Sequence, residues 1–424
     1  MSAAVTTNGR LPLTGINVAD FSWFAAGPIC AEVMGTYGAT VVRVESESHM
    51  DGLRGVGPFP QGKTGYNVSG YFNNYNANKL NVTIDLNTEK GRDLALRLVR
   101  WADVFLTNMT PRIIERWRLT YDELVKVRPD IIAAYQPMQG FDGPHRDFLG
   151  FGAVLGPITG FNHLTGFPNR PPTGLGTNYP DYVINPIHTL TAILAALRYR
   201  RRTGRGQRIE LAQIESAVAA LAPAVMDCTV NGRSQTRAGN RLPHAAPHGA
   251  FRCQGIKVPT PFGEQDEQRW CVIACFNEGQ WSALRTAMGD PAWARDGRFA
   301  TLPGRKQHED ELEQRIEQWT AQRSPEEVME TLQASGVPAA VVQNARDCLE
   351  SDPHLRERSY YVYLDHPEAG RTAYDGPGFR LSKTPAQYRT PAPCLGEHNQ
   401  QVCKEILGLS DDEIADLIVE QVLH

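Results

Sequence analysis

From residue 16 the chain alternates short apolar runs with segments whose apolar positions recur every three or four residues. INVADF is a short β-type run, and GPICAEVMGTYGA follows it, with Pro28 suited to a first helical turn and Gly38 to a helix end. TVVRVE is again a strand, so residues 16–45 predict a β-α-β unit. The alternation continues through LNVTIDL, a helix over TEKGRDLALRLVRWA, the strand VFLTN, a helical region from Pro111 to about Lys126, and the strand IIAAYQP. Strands alternating with helices at these lengths predict an α/β fold with a parallel sheet covered on both faces.

Between Gly140 and Asn185 the chain turns to Gly, Pro and aromatics, a texture that predicts irregular structure carrying function more than core. Periodicity resumes in NPIHTLTAILAALRYRRR, where Ile187, Leu190, Ile193, Leu194 and Leu197 share one helical face, with Asn185 and Pro186 as a start and Gly204 as a stop. Further on, HGAFRCQG and RWCVIACF read as a strand pair interrupted by an insertion, and a helical tract runs from about Gln280 to Ala334. The final segment holds strands near SYYVYL and a terminal helix, DDEIADLIVEQVL. These changes divide the chain into a large domain, 1–227 with 346–424, and a smaller α+β domain, 228–345. No repeat is visible.

Charge narrows the functional classes. Lys plus Arg number 43 against 47 Asp plus Glu, a formal net charge of −4, so no basic field points to nucleic acid or an anionic membrane. MSAAVTTNGR lacks a signal-peptide core, and no run approaches the roughly 18 apolar residues of a membrane helix, so a cytoplasmic protein acting on small molecules is expected. The eight cysteines contain no C-x-x-C pair, and Cys271 and Cys275 alternate with apolar residues as strand positions do; reduced thiols and no metal site are expected.

Two phosphate-binding patterns are tested and rejected. GPFPQGKTGY, residues 57–66, spells G-x-x-x-x-G-K-T, but it lies between polar segments instead of between strand and helix, and Pro58 and Pro60 have no N–H to offer a phosphate. It reads as a solvent loop that could approach a ligand through Lys63. GFGAVLG at 150–156 has one residue too many for G-x-G-x-x-G and no strand before it, which disfavours NAD. Zinc-protease, serine-hydrolase and kinase signatures are not found.

Three segments carry a resemblance. GINVADFSWFAAGPICAEVMGTYGATVVRVES, PDYVINPIHTLTAILAALRYRRRTGRGQRIELA and PCLGEHNQQVCKEILGL resemble the class III CoA-transferases, the formyl-CoA and carnitine CoA-transferase family. NANKLNVTIDL, DVFLTNMTPRIIERW, SGVPAAVV and DPHLRER add to it, so the likeness runs from about residue 13 to the C-terminus. It implies a Rossmann-like large domain built from both chain ends, a small domain between them, and an interlocked-ring homodimer. A heteromer with a paralogous subunit stays open, because nothing in the residues settles whether a second chain is required.

The resemblance also assigns residues. Asp181 matches the family's nucleophile, whereas on position alone it could be a helix cap. It implies transfer of CoA from an acyl-CoA to a free carboxylic acid through an aspartyl anhydride and an aspartyl-CoA thioester, with no tightly bound cofactor. Lys79, Asn108, Met109 and Arg116 match positions that contact CoA, with Arg112 a neighbouring cation. Arg198, Arg200, Arg201 and Arg202 are assigned to a helix end. The formyl-CoA enzyme's glycine-rich covering loop has RLPHAAPHGAF in its place, making His248 and Gly249 candidate replacements.

Other readings remain. Racemases of the superfamily use a Gly-His-Asp motif after a Gly-Pro, where this chain, after Gly143 and Pro144, has Gly150, Phe151 and Gly152; Phe151 cannot carry a proton, and His145 or His163 would have to act as a displaced base. A subunit of a hetero-oligomeric transferase is a third reading. Phe24 belongs to an aromatic surface larger than a formate or oxalate site needs, Ala25, where the formyl-CoA enzyme has glutamine, implies a roomier, less polar pocket, and similarity to the benzylsuccinate branch suggests succinyl-CoA as donor with an aromatic or dicarboxylic acceptor.

Overall fold

The computed structural model describes residues 10–260 and 263–424. The chain divides into two compact units: one runs to His163 and resumes over Thr173–Gln235 and Leu355–His424, and the other comprises Leu164–Pro172 and Thr236–His354. Residues 228–235 lie with the first unit because 228–231 complete a helix, Ala222–Asn231, and Arg233 and Gln235 hydrogen-bond back to Asp227 within it.

The first unit is built on a parallel sheet of β1 (Asn17–Asp20), β2 (Thr40–Glu45), β3 (Lys79–Thr83), β4 (Val104–Thr107), β5 (Ile132–Tyr135) and β6 (Gln207–Glu210), in the order β3-β2-β1-β4-β5-β6. β4 and β5 are buried at every position, which is why they read as unbroken apolar runs. On one face Val18, Val41, Val104, Leu106, Ile132 and Ala134 pack with α1 (Ala26–Thr36) and a long central helix, Asn185–Thr203. On the other, Ala19, Val42, Val44 and Phe105 pack with α2 (Glu89–Trp101) and α3 (Pro111–Trp117). The span 140–185 is less irregular than its composition predicts, since α4 (Gly152–Thr159) forms within it.

The long helix, α5 (Asn185–Thr203), corrects one detail of the apolar stripe. Leu190 and Ile193 are buried and Leu197 is partly so, but Ile187 and Leu194 are 45% and 43% exposed. At 100° per residue these two, seven positions apart, fall on the outer margin of the stripe, away from α1.

The second unit carries a three-stranded sheet in which β7 (His248–Arg252) and the short β11 (Ala339–Val341) flank β10 (Trp270–Ala274), all antiparallel. The insertion between β7 and β10 is itself a hairpin, β8 (Ile256–Thr260) with β9 (Gly263–Glu267). Helices α6 (Glu278–Ala287), α7 (Glu309–Thr320) and α8 (Pro325–Ala334) supply Trp281, Leu284, Leu312, Ile316, Val328 and Leu332 to its core.

The C-terminal residues return to the first unit and cover the free edge of β3. Asn81 N–H donates to His398 Nδ1 at 3.3 Å and Thr83 N–H to Asn399 Oδ1 at 2.8 Å, while Gly396 N–H donates to Asn81 Oδ1 at 2.7 Å. Side chains thus stand in for a missing neighbour strand. No helix among the described residues is long and apolar enough to cross a membrane.

His398 must be unprotonated at Nδ1 to accept from Asn81, and burial lowers its pKa below the ordinary 6.5. The folded state therefore resists a proton that the unfolded chain takes, so this histidine's contribution is intact above about pH 6.5 and is lost as pH falls below it. The difference in urea midpoint between wild type and His398→Gln, measured from pH 7.5 to 5, should shrink with acidification; a constant difference would contradict the linkage.

Candidate active site

β1 and β4 are neighbours, and the chain leaves them in opposite directions across the sheet, so the loops after their C-terminal ends bound a crevice of the kind that binds ligands in open α/β sheets. The β1 loop contributes Trp23, Phe24 and Ala25, and the β4 loop contributes Asn108 and Met109. The Asn108 amide joins the two: its Oδ1 accepts from Trp23 N–H at 2.9 Å and its Nδ2 donates to the Trp23 carbonyl at 2.7 Å. Asn108 therefore lines the crevice as a splint whose amide groups are already engaged.

The crevice has two connected parts that share Trp23, Met109 and Ile113. One, of about 200 Å³, lies over Phe21, Ile84 and Trp117, with Arg116 and His49 at its side. The other, of about 260 Å³, ends at Asp181. Arg116 is exposed and donates to Asn87 Oδ1 at 2.9 Å. Arg112 is exposed and lines neither part.

Asp181 stands on a widened helical turn, Pro180–Ile184, that feeds into α5. It is 5% exposed, and its Oδ2 accepts from Gly152 N–H, the first residue of α4, at 2.6 Å. Among the described residues no donor meets hydrogen-bond geometry at Oδ1. Burial pushes its pKa up to about 6, opposed by the Gly152 N–H and the neighbouring Asn185 amide. Asn185 is itself fixed: it donates to Gln213 Oε1 at 3.2 Å and accepts from the Ser216 hydroxyl, and Gln213 donates to the Gln136 carbonyl at 2.7 Å. A Cβ on Gly152 would come within 2.5 Å of Asp181 Oδ2, so the close approach requires glycine.

The structure thus brings Asp181, Ala25, Phe24, Asn108 and Met109 to one cleft, with Arg116 at its far end. Lys79 is a correction. Its ammonium is buried and donates to Asp20 Oδ2, the Pro28 carbonyl and Asn76 Oδ1 at 3.1, 2.9 and 2.9 Å, so all three N–H groups have internal partners and none is left for a phosphate. His248 and Gly249 belong to the second unit, on β7, with the His248 ring against the Asn240 carbonyl and Phe276. Lys63 donates to the Glu368 carbonyl at 2.6 Å and lines neither part of the crevice.

Gly152 and Asn185 escaped the sequence reading as site residues. Gly152 carried a signal, the GFG of 150–152, but that triplet was tested only against other motifs. His145 and His163 do not line the Asp181 cleft. All eight cysteines are free, and no group of three His, Cys, Asp or Glu is placed to hold a metal among the described residues.

The family model "CoA-transferase family III" matches residues 13–399. The chain is 32% identical to succinyl-CoA–D-citramalate CoA-transferase of Chloroflexus aurantiacus over 97% of its own length and 98% of that protein's. It is 31% identical to the succinyl-CoA–L-malate CoA-transferase beta subunit of the same organism, over 98% and 99%. Among solved structures, a CAIB/BAIF family protein from Brucella suis superposes with a TM-score of 0.83 at 29% identity, covering 94% of this chain and 100% of that one.

A carboxylate whose folded pKa is about 6, above its ordinary 3.8, makes the folded state hold a proton that the unfolded chain releases, so it costs stability as pH rises from 3.8 to 6 and at a constant level above. Asp181→Asn should therefore stabilise the protein at pH 7.5 by on the order of 2–3 kcal/mol, with little effect at pH 4. Urea unfolding at the two pH values checks this; destabilisation at pH 7.5 would contradict it.

Proposed function

We propose, for a chain that belongs to CoA-transferase family III, that Asp181 is the nucleophile that carries CoA between two acids and that the crevice at the β1–β4 switch holds the acyl-CoA. One observation carries the assignment: a buried carboxylate lining that crevice, with one oxygen held by a backbone N–H and, among the described residues, no donor in hydrogen-bond geometry at the other.

The adenosine end of CoA lies over Phe21, Ile84 and Trp117, with Arg116 supplying a cation for its phosphates, and the pantetheine arm follows Trp23, Met109 and Ile113 toward Asp181. Asp181 attacks the thioester carbonyl and expels CoA thiolate, leaving an aspartyl anhydride. The thiolate attacks the aspartyl carbonyl, releasing the first acid and forming an aspartyl-CoA thioester. The second acid attacks that thioester and expels the thiolate again, and the thiolate then attacks the new acyl carbonyl, regenerating Asp181. Each tetrahedral oxyanion needs donors. The Gly152 N–H and the N–H groups of Ala26 and Gly27 at the start of α1, where Ala25 and Ala26 line the cleft, are the proposed donors.

Succinyl-CoA is the proposed donor, supported by the two Chloroflexus relatives, whose names carry it. Phe148, Leu149 and Phe151, exposed at the rim of the Asp181 cleft, favour an acceptor acid with an apolar body, of which benzylsuccinate is one candidate. A racemase is disfavoured because Phe151 occupies the place of the proton carrier and its ring stacks on Phe24. The exposed Ile187 and Leu194, with Val225, Met226 and Val230, support assembly with a second chain, either identical or paralogous.

Brief exposure to succinyl-CoA should add a CoA-sized mass on the Asp181 peptide. The adduct should be removed by hydroxylamine, absent from Asp181→Ala, and formed at half its maximal rate near pH 6, since the ionised carboxylate is the attacking form. No adduct with several acyl-CoA donors, together with α-proton exchange of a 2-methylacyl-CoA in deuterated water, would overturn the transferase reading in favour of a racemase.

A further inference from the structure

Phe24 adopts a left-handed backbone conformation, φ +60°, that an aromatic residue takes only when its surroundings impose it. They do so here. Phe24 N–H donates to Asp51 Oδ2 at 2.9 Å, while Asp51 Oδ1 accepts from Leu53 N–H at 2.9 Å. Asp51 is fully buried, pairs with the Arg43 guanidinium, and donates its own N–H to Glu45 Oε1 at 2.9 Å. A Cβ on Gly52 would lie 2.7 Å from the Phe24 ring, so glycine there makes room for it.

The ring so placed stacks on Phe151, with centroids 5.5 Å apart and planes at 9°. Phe151 is the residue before Gly152, and its ψ of −171° sets the peptide plane from which the Gly152 N–H points at Asp181. We infer that Phe24 is a positioning residue: fixed by the Asp51 carboxylate, its ring holds Phe151, and through it the Gly152 N–H, in line with the Asp181 carboxylate. This rests on Asp181 being the nucleophile. The residue chain Arg43, Asp51, Phe24, Phe151, Gly152 connects the buried charges behind the β1 loop to the reacting group, without any of the first four having to touch it.

Two effects of deleting the ring have opposite signs. Losing the Gly152 hydrogen bond raises the Asp181 pKa, whereas admitting water lowers it. The Tyr71 phenol senses Asp181, and burial raises its own pKa above the ordinary 10, so it does not titrate in the range concerned. The pH at which Asp181 titrates can be read without turnover, from the stability difference between a protein and its Asp181→Asn counterpart as a function of pH.

The test compares wild type, Phe24→Gly, Phe151→Leu and the Phe24→Gly/Phe151→Leu double variant by this readout and by the rate of adduct formation with succinyl-CoA. Glycine tolerates the left-handed turn, so Phe24→Gly removes the stack and keeps the loop; should it fail to fold, Phe151→Leu carries the comparison. Expected are a midpoint above that of wild type, adduct formation slowed about 10-fold or more, and a double variant no worse than either single one. A midpoint that falls or stays put in Phe24→Gly and Phe151→Leu would overturn the inference, the ring then serving only to exclude water. A midpoint that rises in a protein whose wild type forms no adduct would support the positioning role and defeat the transferase reading instead.

Discussion

Everything at the site follows from keeping one carboxylate out of water. Asp181 is buried at the end of a cleft, and burial raises its pKa by disfavouring the charged form. The Gly152 N–H and the Asn185 amide oppose that rise. The former satisfies one oxygen at 2.6 Å and leaves a group with a pKa near 6, ionised under ordinary conditions yet poorly solvated on its other oxygen. Poor solvation is what a carboxylate nucleophile needs, and a dry cleft is what an anhydride needs to survive. The cost is borne as lost stability wherever the group is ionised, a trade common to sites that hold a destabilised charge.

Behind the β1 loop the protein spends a second set of buried charges on rigidity. Asp20, Glu45 and Asp51 are paired with Lys79, Arg43 and Arg54, all with side chains at 0% exposure, three anions against three cations. Breaking one such pair strands its partner, so the set acts as a single unit. Its outward face is the run from Ser22 to Ala25: Asp20 accepts from Ser22 N–H at 3.0 Å and Asp51 from Phe24 N–H at 2.9 Å. Asn108 closes the same loop against β4. The walls of the crevice are therefore held by polar contacts that do not depend on the ligand, which is the preorganisation that transfer between two acids requires.

How much of this was legible in the sequence depended on the range of the interaction. The β1-α1-β2 unit and the buried strands β4 and β5 are written in local periodicity and were read correctly; the order of the strands in the sheet has no such local signal, because pairing is a tertiary fact. Ile187 and Leu194 match the helical stripe of α5 but lie at its margin, a distinction that periodicity cannot draw without knowing how wide the packed face is. Lys79 was assigned to CoA through the resemblance alone, and the partner that engages it, Asp20, is 59 residues away and leaves no local trace. Asp181 was reached through family resemblance, since on position alone an aspartate before a helix reads better as a cap. Gly152 was visible only as part of failed motifs, because what it bonds lies 29 residues further on.

The central claim is that Asp181 is covalently involved, which an oxygen label tests directly. When the second acid displaces CoA from the aspartyl thioester and CoA then attacks the new acyl carbonyl, one oxygen of that acid must remain on the aspartate. A single turnover of the aspartyl-CoA protein with an ¹⁸O-labelled carboxylic acid acceptor should therefore leave one heavy oxygen in the peptide bearing Asp181. Acyl-CoA product formed with no label in that peptide would mean that the acid is activated without passing through Asp181, and the account given for the site would be wrong.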